Sequence, residues 1–200
     1  MTAMVFLLSS CSTEPANLDS IESSSDTSRI VPEVAQPNYS ADELRQFEVA
    51  FNGLESMTDQ VDGYTRYFRF SNRSDKAPID AYPYIFQNED SPPSLRLRFV
   101  YQGSSWLFFD EVTVSIDGEN IDYSSLLGDL SRGTYGDGVK EVLVSYVSVD
   151  TLYKISNSDL TIIRFRGDDR NLDLTLTESQ KATMKVLADA FIWMEYEADL

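Results

Sequence analysis

Thr161-Ile-Ile-Arg-Phe-Arg166, Gly167-Asp-Asp-Arg170 and Asn171-Leu-Asp-Leu-Thr-Leu176 decide the fold. Two runs that alternate apolar with polar residues flank a short turn rich in Gly and Asp, the pattern of an antiparallel hairpin. Folding on that turn sets Phe165 opposite Leu172, Ile163 opposite Leu174 and Arg164 opposite Asp173. Apolar meets apolar on one face and opposite charges meet on the other. A slip by one residue would exchange the two faces, so the register is well specified.

Working outward, Leu95, Leu97 and Phe99 alternate with Arg96 and Arg98, and Gln102-Gly-Ser-Ser105 leads into Trp106-Leu-Phe-Phe-Asp-Glu-Val-Thr-Val-Ser-Ile116. Pairing across that loop predicts a second hairpin, with Phe99 opposite Phe108, Leu95 opposite Val112 and Arg96 opposite Glu111. Asp117-Gly118 is a further turn signal, residues 139–149 read as a buried strand, and Tyr64-Thr-Arg-Tyr-Phe-Arg-Phe70 reads as another. Helices bracket these strands. Ser40-Ala-Asp-Glu43 is a capping box followed by Leu44, Phe47, Phe51 and Leu54 on one helical face. Thr177-Glu-Ser-Gln180 is a second box, and Met184, Leu187, Ala188, Phe191 and Met194 form the stripe of a long C-terminal helix. Glu195, Glu197, Asp199 and the terminal carboxylate crowd the negative end of its dipole, which should fray unless a cation receives it. The expected architecture is α+β, a mainly antiparallel sheet built from hairpins with an N-terminal and a long C-terminal helix.

Composition excludes most catalytic classes. The chain has no histidine and one cysteine, Cys11. Ser-His-Asp and Cys-His catalysis, His-ligated zinc and Cys-rich metal centres are therefore absent, and no phosphate-binding glycine pattern occurs. We expect no cofactor and no metal. Carboxylate chemistry remains, and its one candidate is Asp110, which the predicted register puts on the apolar side between Phe108 and Val112; a strand end or bulge turning it to solvent is the competing reading. Asp168-Asp169 and Gly136-Asp137-Gly138 are acidic turns without the spacing of a calcium loop.

The chain carries 16 basic and 33 acidic residues, a net charge of −17. A surface that acidic repels nucleic acid. Arginine stands out against it. Arg96 and Arg98 share one strand face, as do Arg164 and Arg166, so one sheet surface could grip a carboxylate, a phosphate or an acidic partner; pairing with Glu111 and Asp173 would neutralise part of it. Tyr82-Pro-Tyr-Ile-Phe86, followed by Pro92-Pro93, is an aromatic segment suited either to a groove or to the core.

The first residues run Met1-Thr-Ala-Met-Val-Phe-Leu-Leu-Ser-Ser-Cys11, and Leu8-Ser9-Ser10-Cys11 resembles the lipobox of bacterial lipoproteins. The resemblance implies a lipid thioether on Cys11, a signal-peptide remnant over 1–10, and, because Ser12 is not the retaining Asp, the outer membrane. The first Lys or Arg is Arg29, so either the signal begins upstream of Met1 or the apolar start belongs to a cytosolic protein. Residues 11–38 are the anchor and an acidic, Ser-rich tether, expected to be disordered. As a flexible coil such a tether spans on the order of 30 Å. Residues 39–200 form one globular domain. The implied function is that of a cell-envelope lipoprotein presenting a non-enzymatic binding domain to an envelope protein or small ligand, attached to the membrane through its N-terminal lipid and not contacting nucleic acid. A carboxylate-dependent envelope hydrolase and an unlipidated soluble accessory protein are the alternatives.

Overall fold

The structure, a computed structural model, describes residues 38–69 and 78–198. Cys11, the lipobox and the tether, with Phe70, Asp199 and the terminal carboxylate, lie outside the described residues. Among the described residues three helices and ten strands form an α+β fold: α1 Ala41–Asn52, β1 Glu55–Asp59, β2 Tyr64–Phe68, β3 Ile79–Asn88, β4 Ser91–Gly103, β5 Glu111–Ile116, β6 Glu119–Ser124, β7 Asp129–Tyr135, β8 Gly138–Tyr146, α2 Val149–Asn157, β9 Thr161–Arg166, β10 Asn171–Thr175 and α3 Glu178–Ala198. The strands make two sheets, ordered β1-β2-β3-β4-β8-β7 and β10-β9-β5-β6, with every neighbouring pair antiparallel.

The β9–β10 hairpin has the predicted register, pairing Phe165 with Leu172, Arg164 with Asp173 and Ile163 with Leu174. Its turn closes with Gly167 N–H donating to the Arg170 carbonyl at 3.1 Å. Asp117-Gly118 turns β5 into β6, with both residues at positive φ (48° and 92°). The Asp117 carboxylate also accepts the Leu160 N–H at 2.8 Å, which ties this turn to the start of β9.

The predicted hairpin over 95–116 does not form. β4 pairs with β3 and β8 in the larger sheet, whereas β5 lies between β9 and β6 in the smaller one. A buried carboxylate redirects the chain. Glu141, on the inner face of β8 and fully buried, accepts the backbone N–H groups of Leu107 (2.6 Å) and Phe108 (2.9 Å) on one oxygen. Arg132 donates to its other oxygen at 3.1 Å and to the Phe109 carbonyl at 2.8 Å. Residues 104–110 are thereby carried from one sheet to the other, with Phe108 in the left-handed region at φ 55°. That conformation is costly for an aromatic residue, and the two bonds to Glu141 hold it.

The inner faces of both sheets and the buried stripe of α3 share one core, in which Phe99 of β4 meets Tyr123 at 5.2 Å and Phe165 at 6.3 Å. Both capping boxes are in place, Ser40 with Glu43 and Thr177 with Gln180. The apolar positions of the long helix, from Met184 to Met194, are buried as expected. Helices α1 and α2 pack along it. Two polar ties join α2 to α3. Lys181, 3% exposed, donates to the Ser158 carbonyl at 2.6 Å, at the negative end of α2. The Tyr153 hydroxyl donates to Asp189 at 2.7 Å, and burial followed by this bond raises the phenol pKa.

Candidate functional site

The site is built on the outer face of the larger sheet. Alternation along β4 sends Leu95, Leu97, Phe99 and Tyr101 inward, so Arg96 and Arg98 face outward. Register fixes their neighbours: Arg98 lies beside Tyr82 and Val144, and Arg96 beside Tyr84 and Tyr146. On the next strands Arg66 of β2 lies beside Phe86 of β3. Three arginines therefore share one face with a lattice of aromatic rings. The Arg96 guanidinium sits 3.9 Å from the centre of the Phe86 ring and 5.2 Å from that of Tyr146, Arg66 lies 4.7 Å from the Tyr64 ring, and Arg98 lies 6.0 Å from that of Tyr82.

None of the three has a carboxylate within ion-pair distance among the described residues. Arg96 donates from Nε to the Ser94 hydroxyl at 3.1 Å, and Arg66 from one terminal nitrogen to the Tyr64 hydroxyl at 3.1 Å. The Nε atoms of Arg66 and Arg98 are buried and have no hydrogen-bond partner among the described residues. Stacking on rings offsets some of the cost of half-burying a guanidinium without an acid, by about 0.5–2 kcal/mol each. It also fixes the plane of the guanidinium, so the free N–H groups stay aligned for an anion.

Arg164 and Arg166 stand elsewhere. They belong to β9 of the smaller sheet, so the expected four-arginine surface divides between two sheets. Arg164 makes a two-pronged contact with Asp173, 2.7 Å on each arm, and its hydrogen bonds hold the Asp173 carboxyl below its usual pKa. Arg166 pairs with Glu111 at 2.9 Å and donates to Thr113 at 3.0 Å, so Glu111 serves Arg166 and not Arg96 as the misplaced hairpin implied. These two arginines are neutralised by their own sheet.

Asp110 is exposed immediately before β5, and its carbonyl accepts the Ser125 N–H at 2.8 Å. The register that buried it fails with the hairpin, and the strand-end reading holds. Among the described residues no three acidic side chains gather to hold a metal ion. The segment Tyr82 to Phe86 lies inside β3, with Ile85 fully buried and Tyr82 and Phe86 half-buried on the arginine face. Pro83 sits where the β2 ladder has already ended at Tyr67–Ile85, so no partner on that side lacks a donor.

Sequence reading identified Arg96 and Arg98 and missed Arg66. Its signal was present in Tyr64-Thr-Arg-Tyr-Phe68, where alternation puts Tyr64, Arg66 and Phe68 on one face. At one end of the face a hollow of about 490 Å³ opens between Arg96, Tyr146, Asp129, Leu126 and Leu127. Tyr146, Leu126 and Leu127 are 66%, 91% and 77% exposed, an apolar rim on an otherwise acidic protein. No helix among the described residues is long and apolar enough to cross a membrane. Comparison of the chain with protein-family models, curated proteins and solved structures found no match.

Proposed function

We propose that the protein is a cell-envelope lipoprotein, held at the outer membrane by a lipid on Cys11, whose α+β domain is a non-enzymatic module that binds an anionic partner or ligand on the arginine–aromatic face of its larger sheet. One observation carries the binding half: among the described residues Arg66, Arg96 and Arg98 share that face with no carboxylate in ion-pair contact, Asp59 reaching Arg66 only through the Tyr64 hydroxyl, whereas Arg164 and Arg166 on the smaller sheet are each paired. A protein of net charge −17 has acids in excess, so three arginines with no acid in ion-pair contact among the described residues mark a surface whose counter-charge comes from outside. The rings supply the apolar area that a recognition surface needs. The hydrolase alternative loses its candidate residue, since Asp110 faces solvent.

Two variants test the two halves. Cys11→Ser should move the protein from the detergent phase to the soluble fraction; an unchanged distribution removes the lipid anchor and leaves the unlipidated accessory protein. Arg66→Ala with Arg98→Ala should leave the fold intact, because neither arginine is part of an ion pair among the described residues. It should weaken capture of the partner from detergent-solubilised envelopes by about 2 kcal/mol or more, the scale of a buried interface arginine. Undiminished capture by a folded double variant would reject the face as the binding surface.

A further inference from the structure

We propose that the hollow beside Arg96 receives the free C-terminal carboxylate of an extended peptide whose last side chain is apolar. This rests on the binding reading above and names its ligand. The first support is Arg96 itself. Its guanidinium is clamped between the Phe86 and Tyr146 rings and its Nε is committed to Ser94, which leaves the terminal N–H groups for a planar, two-pronged acceptor. A carboxylate has that shape.

The second support is an open length of β8. Strand β7 begins at Asp129, opposite Val144, while β8 continues through Ser145 and Tyr146. Val147 N–H donates to the Leu95 carbonyl at 3.1 Å, which makes Arg96 and Tyr146 a non-hydrogen-bonded pair in the β4–β8 ladder. The backbone N–H and C=O of Tyr146 therefore point away from β4, to the side on which β7 has ended. A short incoming strand can take the place β7 leaves, bonding through its main chain.

The third support is the wall. Leu126 and Leu127 offer an apolar surface for the final side chain. The wall is fixed at Gly128, where a Cβ would stand 2.5 Å from the Val144 carbonyl oxygen, so the loop is drawn tight against β8. Asp129 on the same rim accepts a peptide N–H and repels a second acid. A fatty acid would satisfy Arg96 and the leucines but would leave the Tyr146 main chain and Asp129 without partners, so the polar lining favours a peptide.

The test uses the full chain carrying Cys11→Ser, so that no attached acyl group competes. Fluorescence anisotropy is measured with dansyl-Gly-Ala-Val-Leu as the free acid, the same peptide as its carboxamide, and a dansylated undecanoic acid. We expect saturable binding of the free acid, weakened roughly tenfold or more for the carboxamide, as loss of a charge-assisted bond implies. Arg96→Gln should show the same loss. Leu127→Glu, at an exposed position where a polar side chain does not threaten folding, should also abolish binding. Arg45→Ala, at an exposed position of α1 away from this face, should bind the free acid as the wild type does. Equal affinity for acid and carboxamide, no binding of either, or preference for the undecanoic probe would overturn the proposal. If the peptide fails while the Arg66/Arg98 variant still loses its envelope partner, the binding face stands and only its ligand is misassigned.

Discussion

Replacing Glu141 by Gln tests whether one carboxylate holds the chain's passage between sheets. The side chain is fully buried, accepts two main-chain N–H groups on one oxygen and faces Arg132 with the other. Gln keeps the shape and one acceptor. If its oxygen stays on Leu107 and Phe108, those two charge-assisted bonds become neutral, at a cost of about 1 kcal/mol each. Its NH2 then confronts the Arg132 donor, adding about 1 kcal/mol, a modest figure because Arg132 is one-third exposed and water can replace the lost bond. The total is about 3 kcal/mol. In a domain of this size that corresponds to a fall in Tm of roughly 6–12 °C. Urea unfolding followed by Trp fluorescence and by far-ultraviolet circular dichroism measures it, since Trp106 lies in the crossing segment. A shift below about 0.5 kcal/mol, within the range of an ordinary surface substitution, would refute the reasoning and assign the crossing to core packing alone.

Lys181→Met removes the donor to the Ser158 carbonyl while keeping the apolar stem; we expect a loss of about 1–3 kcal/mol and faster amide exchange at the end of α2, and unaltered exchange there would contradict it. Tyr123 is buried, which pushes its phenol pKa up to about 12. A folded value raised above the unfolded one near 10 supplies stability that is complete below about pH 10 and is lost as pH rises toward about 12. Tyr123→Phe should therefore leave neutral-pH stability nearly unchanged and flatten the alkaline limb; an equally steep limb would place its cause elsewhere.

What the sequence made legible was local. The β9–β10 register could be read because its partners lie within about sixteen residues and both faces agree on one alignment. Both capped helices were legible for the same reason. The β4–β5 hairpin shows the converse: Gln102-Gly-Ser-Ser105 between alternating runs looks like a turn, but the groups that settle the path are Glu141 and Arg132, far along the chain. Helix α2 was hidden behind the apolar run of β8, although Ser148, whose hydroxyl accepts the Thr151 N–H at 3.1 Å, marks its start. β7 is nearly all exposed and rich in Ser, Thr and Gly, so it carries no burial pattern to detect. The arginine face was half legible. Alternation placed Arg96 and Arg98 together, but only the order of strands adds Arg66 and separates Arg164 and Arg166.

The Glu141 contacts also bear on how the chain reaches this arrangement. Leu107 and Phe108 precede Glu141 by 34 and 33 residues. The β3–β4 and β9–β10 hairpins can close early, because their ends are near in sequence. β8 is different. Any collapsed state that packs it before residues 104–110 have crossed leaves a carboxylate in the interior without donors, at a cost of several kcal/mol. Arrangements in which β4 and β5 pair as neighbours, which the side-chain pattern alone would allow, carry that penalty. The buried charge thus works as a proofreading device on topology, favouring the two-sheet arrangement by penalising its nearest competitor.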